Sequence, residues 1–206
     1  MDQHNSLETN STKIALLDAA KNVLLTNGYS GLSTRAIAAS ADTQMSQIRY
    51  HFGSKEGLVL ALYEYMTAQL IERQTILFTD SSQSLSQKWD TACDYLDEDI
   101  ASGYVRVFQE LIAQGWSNPK IAQKIRNSLS QWFALQISLA QEFKESFGST
   151  GPIDVEDIAV LVSPAFAGVE AFVLLGWEEN GAQLRRSLRR FGNVIRYFEN
   201  NQKGET

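Results

Sequence analysis

The sequence is short of the residues that would staple the chain, hold a metal in it or send it out of the cell. A single cysteine, Cys93, excludes an internal disulfide. Only two histidines, His4 and His51, are present, and no cluster with metal-ligand spacing, phosphate-binding loop or nucleophile triad is visible. That speaks against an enzyme, and neither a cofactor nor a metal is expected. No basic segment leading into an apolar run begins the chain, so export is not signalled and a cytoplasmic location is expected. No useful length of apolar/polar alternation marks a β-strand, and no internal repeat appears.

What is there is a chain of ordinary domain size, 206 residues with 44% hydrophobic content, enough for a sizeable core. Its formal net charge of −6 is unevenly spread. Residues 1–55 carry Lys13, Lys21, Arg35, Arg49 and Lys55 against Asp2, Glu8, Asp18 and Asp42, whereas the remainder carries thirteen basic and twenty acidic side chains. A locally basic N-terminal surface is therefore open to a nucleic-acid partner, because binding follows the local field more than the total.

Helical periodicity runs almost throughout and predicts an all-α chain of about nine helices. After a polar tail over residues 1–10, Ser11 or Thr12 can cap a helix with the stripe Ile14, Leu17, Ala20 and Leu24, stopped by Asn27-Gly28. Ser33 can cap a short helix carrying Ile37, Ala38 and Ala41. Asp42 tolerates the turn conformation that favours glycine, and a second short helix follows from about Gln44 to Tyr50. Two short helices joined by such a turn, behind a longer supporting helix, form a helix-turn-helix pattern.

Within the second short helix, Ile48 and Phe52 fall on the inner face and Gln44, Gln47, Arg49 and Tyr50 on the rest of the surface. Glutamine can pair with adenine and arginine with guanine in the major groove, while Thr43, Ser46 and Tyr50 can bond phosphates. Met45 can touch a thymine methyl or pack against Ile48. A solvated helix face is the plain alternative for the whole set.

The run "ADTQMSQIRYHFGSKEGL" resembles the recognition-helix signature of TetR-type regulators, in which an Ala-Gly-Val-Ser turn leads to a Tyr-Tyr-His-Phe block and a Ser/Lys/Glu/Leu helix start. Ala41, Tyr50, His51, Phe52, Lys55, Glu56 and Leu58 match, and "ALLDAAKNVLLTNGYSGLSTRAIAASA" resembles the first two helices of that family. Asp42 stands for the turn glycine, Thr43 for a buried valine and Arg49 for the first tyrosine. The resemblance covers roughly the first 60 residues. It implies DNA contacts by residues 34–55, namely Thr34, Arg35, Thr43, Gln44, Met45, Ser46, Gln47, Arg49, Tyr50, His51 and Lys55, the last as a phosphate-contacting lysine. Catalysis by His51 would need a carboxylate or nucleophile, with Ser54 and Glu56 nearest in sequence. Ser54 is better explained as the cap of a fourth helix, with Glu56 in its first turn.

That fourth helix is expected from about Lys55 to Gln83, and the resemblance makes it the link between a ligand-binding body and the reading heads. Beyond it, helices carry Trp89, Cys93, Tyr104, Phe108, Glu110, Trp132, Phe133, Phe166 and Glu170, candidates for an effector pocket; the alternative is plain core packing. Glu110 and Glu170 need partners on mostly apolar faces, which a cationic ligand, an arginine or a second subunit could supply. "GSTGP" breaks the chain before a helix starting near Asp154. The run Ile158–Trp177 is long and apolar, but Pro164 and Glu170 argue against a membrane span. Ala165, Gly168 and Ala171 recur at spacings of three and allow a close helix partner. With Phe172, Leu184, Leu188, Phe191 and Ile195 they would form the four-helix dimer interface that the resemblance implies. Arg185, Arg186, Arg189 and Arg190 are read as a solvated or salt-bridged face in preference to a DNA patch.

The expected organisation is thus a tail over 1–10, a DNA-binding domain over 11–57 and an effector-binding and dimerisation body over 58–206. The expected function is that of a ligand-responsive repressor, homodimeric on palindromic double-stranded operator DNA, with an unknown small-molecule effector. A helical small-molecule-binding protein or an adaptor without DNA readout is the alternative.

Overall fold

The computed structural model describes residues 2–148 and 152–202. Nine helices and no strand occur among them. They are α1 (Asp2–Gly31), α2 (Thr34–Ser40), α3 (Met45–Phe52), α4 (Lys55–Thr79), α5 (Leu85–Ser102), α6 (Tyr104–Gly115), α7 (Pro119–Phe147), α8 (Val155–Leu174) and α9 (Trp177–Gln202).

Local chemistry accounts for most boundaries. Ser33, Ser54 and Ser84 each place a hydroxyl on an N–H three residues on, at Ala36, Gly57 and Gln87. At Ser84 the Gln87 side chain bonds back to the cap N–H, completing a capping box. Asn118 Oδ1 accepts from Lys120 N at 3.0 Å and so opens α7 ahead of Pro119. Gly103, left-handed at φ 83°, closes α5.

Several boundaries differ from the sequence reading. α1 begins at Asp2 instead of at a Ser11 or Thr12 cap, so its helical path runs back through the stretch read as a tail. Its break does fall at Gly28, where φ 69° and ψ 179° interrupt the helix. α4 stops at Thr79, short of Gln83, because Asp80 takes bonds from Ser82 and Gln83 and folds the chain into a turn. α9 is entered at Trp177, ahead of Ala182, through positive φ at Glu179 and Gly181. Of the expected break at 148–152, residues 149–151 lie outside the described residues.

The helices group into two compact units. Unit 1 comprises residues 1–68 and 106–124; unit 2 comprises 69–105 and 125–206. The partition passes within α4, α6 and α7, and brings most of α6 in with α1, α2 and α3. In unit 1, Leu16, Leu24, Leu32, Ile37, Ile48, Leu58, Leu62 and Leu111 are among the fully buried side chains. In unit 2, Leu96, Val169 and Val173 form a core cluster, with Ile100, Phe166, Leu184 and Leu188 packed against it.

Candidate nucleic-acid interface

The reading edge is built by a corner and a buried anchor. Thr43 N donates to Ala38 O at 2.9 Å while Asp42 holds φ 48°, so the chain turns sharply between α2 and α3. Aspartate tolerates this left-handed backbone better than most residues, which explains its standing where the family signature has glycine. Ile48 then anchors α3 in the core at 1% exposure. Helical period turns the opposite side outward: Gln44, Met45, Ser46, Arg49 and Tyr50 are exposed, Met45 at 50% and Tyr50 at 76%. Gly57 seats α4 against the end of α3, since a Cβ there would lie 2.1 Å from Phe52 O.

The remaining candidates surround this edge. Arg35 is exposed, and Thr34, Thr43, Gln47, His51 and Lys55 are half-buried. Thr34 Oγ1 lies 4.0 Å from Met45 Sδ, a weak contact that links the start of α2 to α3. Ser46 Oγ donates to Gln44 Oε1 at 3.4 Å. His51 sits beside two rings, edge-on to Tyr50 with centroids 4.9 Å apart and tilted on Phe52 at 6.0 Å. Ser54, its nearest hydroxyl in sequence, is engaged as the α4 cap. Lys55 reaches inward: Nζ donates to Leu32 O at 3.1 Å and lies 5.0 Å from the Tyr29 ring centroid. Burial, with the charges of Glu56 and Glu110, pushes the Tyr29 phenol above its ordinary pKa.

The candidate effector residues fall in both units. Phe108 and Glu110 belong to unit 1, where Phe108 stacks on Tyr63 with centroids 6.2 Å apart and planes 8° apart. Trp89, Cys93, Tyr104, Trp132, Phe133, Phe166 and Glu170 belong to unit 2. There Trp89 packs edge-on to Phe166 at 5.6 Å, and its Nε1 donates to Leu188 O at 2.9 Å. Cys93 is buried, and desolvation pushes its thiol up to about 11. Trp132 Nε1 donates at 2.8 Å to the Gln136 amide oxygen, while the Gln136 nitrogen reaches Ala159 O and Ser163 Oγ.

The dimer candidates are partly used within the chain. Leu184 and Leu188 pack on the unit 2 core, Phe191 tilts on Trp89 at 5.2 Å, and Phe172 lies edge-on to Trp177 at 5.7 Å. Ala165 is exposed, Ala171 and Ile195 are half-buried, and a Cβ on Gly168 would meet nothing within 4 Å. Val160, Leu161, Val194 and Tyr197 are also exposed, so α8 and α9 present apolar surface to solvent. The arginines of α9 pair with α5: Arg185 with Asp97, Arg189 with Asp94, and Arg196 with Asp90.

Two polar pairings escaped the sequence reading. Lys88 is buried and bound by Glu142, and Arg106 donates to Leu25 O at 3.0 Å. Each is the single basic residue of its helix, α5 for Lys88 and α6 for Arg106.

A short capped helix, a sharp turn and an outward polar helix on an all-helical scaffold define a helix-turn-helix DNA-binding protein. Residues 16–62 match the family described as bacterial regulatory proteins, tetR family. The HTH-type transcriptional regulator UidR of Escherichia coli strain K12 is 25% identical over 178 residues, covering 74% of this chain and 86% of that protein. A TetR transcription regulator from Haloarcula marismortui superposes with a TM-score of 0.75 at 13% identity, over 90% of this chain and 98% of that one. The transcriptional regulator FadR from Bacillus subtilis, solved in complex with stearoyl-CoA, gives 0.69 at 18% identity, over 87% and 96%. The two structures establish the fold. Residues 16–62 thus carry the helix-turn-helix of the tetR family, and the chain is a DNA-binding transcriptional regulator similar to members of that family.

Proposed function

We propose that the protein is a ligand-responsive repressor that binds a palindromic operator as a homodimer. The observation that carries the reading is the division of α3, with Ile48 anchored in the core and Gln44, Met45, Ser46, Arg49 and Tyr50 exposed. Gln44, Gln47 and Arg49 read base edges. Thr34, Arg35, Thr43, Ser46, Tyr50 and His51 engage phosphates, and Met45 meets a thymine methyl. Lys55 contributes a second positive charge near the backbone while holding Leu32.

Two heads in successive major grooves require reading edges about 34–36 Å apart. The exposed apolar surface of α8 and α9, with the open space at Gly168, supports pairing with a second copy. An effector bound within unit 2, near Trp89, Trp132 and Phe166, favours a head spacing that no longer fits the operator. Tenfold release needs only about 1.4 kcal/mol of coupling. Crystals of the similar FadR hold stearoyl-CoA, which supports a small-molecule effector as a class. The protein acts in the cytoplasm, without catalysis, a cofactor or a membrane partner, as befits a relative of transcriptional regulators.

Selection of duplexes from a random DNA pool at near-physiological salt tests the reading. An enriched inverted repeat, bound with affinity that falls steeply as salt rises, is expected. A folded dimer that enriches no sequence, with no small molecule detected in it by mass spectrometry, refutes DNA readout.

A further inference from the structure

The corner between α1 and α2 is held by two cations from distant parts of the chain. The break at Gly28 takes away N–H donors that the carbonyls of the preceding turn would meet in a continuous helix. Arg106, on α6, supplies one, with Nη1 donating to Leu25 O at 3.0 Å. Its other terminal nitrogen lies over the break, since a Cβ on Gly28 would come 3.5 Å from Nη2. A cation at the carbonyl end of a helical segment also meets the negative end of its dipole. Lys55 acts in the same way from α4, donating to Leu32 O.

Arg106 is half-buried on the polar side of α6, with Gln109 and Glu110 one turn further on, while Val105, Val107, Phe108 and Leu111 are buried on the opposite side. It is also the first residue of α6 to fall in unit 1, where the partition passes between Val105 and Arg106.

We infer that Arg106 is a positioning residue for operator recognition: by gripping Leu25 at the Gly28 break, it makes the orientation of α1, α2 and α3 follow α6 as well as α4. The inference rests on the dimeric operator reading above. The orientation of each head decides the distance between the two reading edges, so Arg106 acts on half-site spacing and leaves base preference to α3.

The test compares full-length Arg106→Ala and Arg106→Lys with the parent chain in two measurements. Amide hydrogen exchange over residues 25–32 reads the grip without DNA. Exchange about tenfold faster is expected for Arg106→Ala, with α9 unchanged and with recovery in Arg106→Lys, which keeps one donor. Affinity for inverted repeats of constant half-sites, with the spacer changed by one base pair, reads the positioning. Arg106→Ala is expected to lose about tenfold of the parent's discrimination between spacers, with base preference kept. Unchanged exchange in Arg106→Ala overturns the grip whatever the DNA shows. Faster exchange with an equal loss of affinity on every spacer overturns positioning and makes Arg106 structural only. A parent chain that enriches no inverted repeat refutes the operator reading and the spacing role with it, while exchange still decides the grip.

Discussion

Lys88, at 1% side-chain exposure, places its ammonium 2.8 Å and 2.9 Å from the two carboxylate oxygens of Glu142, whose side chain is 40% exposed. The third donor goes to Phe78 O at 3.0 Å, so one buried cation ties the end of α4, α5 and α7 together. The two partners are unequal in burial, and that inequality gives a direction to their loss.

Removing Glu142 strands a charge that cannot reach water, whereas removing Lys88 leaves a carboxylate that can turn to solvent. Glu142→Ala is therefore expected to cost about 2–3 kcal/mol, below the about 3–5 kcal/mol of a wholly buried pair because Glu142 is partly screened. Lys88→Met should cost clearly less. Urea unfolding of both variants checks the order, and equal losses would contradict it.

Arg49 and Lys55 are expected to fail differently on DNA. Arg49→Ala should cost about 1–3 kcal/mol on the selected operator and relax preference at one base position. Lys55→Ala removes a charge and the Leu32 contact, so it should weaken every sequence alike and also lower the melting temperature. Binding to a panel of single-base operator variants separates the two, and an equal loss on every duplex for Arg49→Ala would exclude base reading by that residue.

The open space at Gly168 makes it a probe of association. Gly168→Arg should leave the chain folded, because a side chain there meets nothing within 4 Å of its Cβ, while blocking close approach of a second copy of α8. Sedimentation equilibrium should show a monomer, with operator affinity lost. A stable dimer in this variant would place the interface elsewhere.

Cys93 is expected to be inert in the folded state. With its thiol pushed from 9.0 up to about 11 by burial, alkylation at pH 8 should run about a hundredfold slower than for an unburied thiol, through the scarcity of thiolate alone. The linkage sign follows from the raised value. The unfolded thiol ionises first as pH rises, so the stability that Cys93 contributes is complete below its ordinary pKa and is lost as pH climbs through about 11. The parent's denaturant midpoint should fall from pH 9.0 to about 11 relative to that of Cys93→Ala, and parallel pH profiles of the two would exclude this residue as the cause.

Where a feature depends on a few neighbouring residues, the sequence alone determined it. The Ser33 and Ser54 caps, the break at Gly28, the tolerance of Asp42 for a left-handed turn and the inward face of Ile48 are decided by chemistry within a helical turn, and so the exposed polar edge of α3 was legible. Even the preference for salt bridges over a DNA patch in the α9 arginines followed from an acidic remainder of the chain. Only the tertiary structure decided which helices share a core. It gave most of α6, with Phe108 and Glu110, to the unit that holds α1, α2 and α3. It turned Leu184 and Leu188 into the chain's own packing, and set Lys88 against Glu142 and Arg106 against Leu25. Amphipathic periodicity states that a face is buried but not against what, because the burial free energy of an apolar stripe is nearly indifferent to its partner. The choice among partners is made by long-range shape and by the few buried polar groups that must find one another.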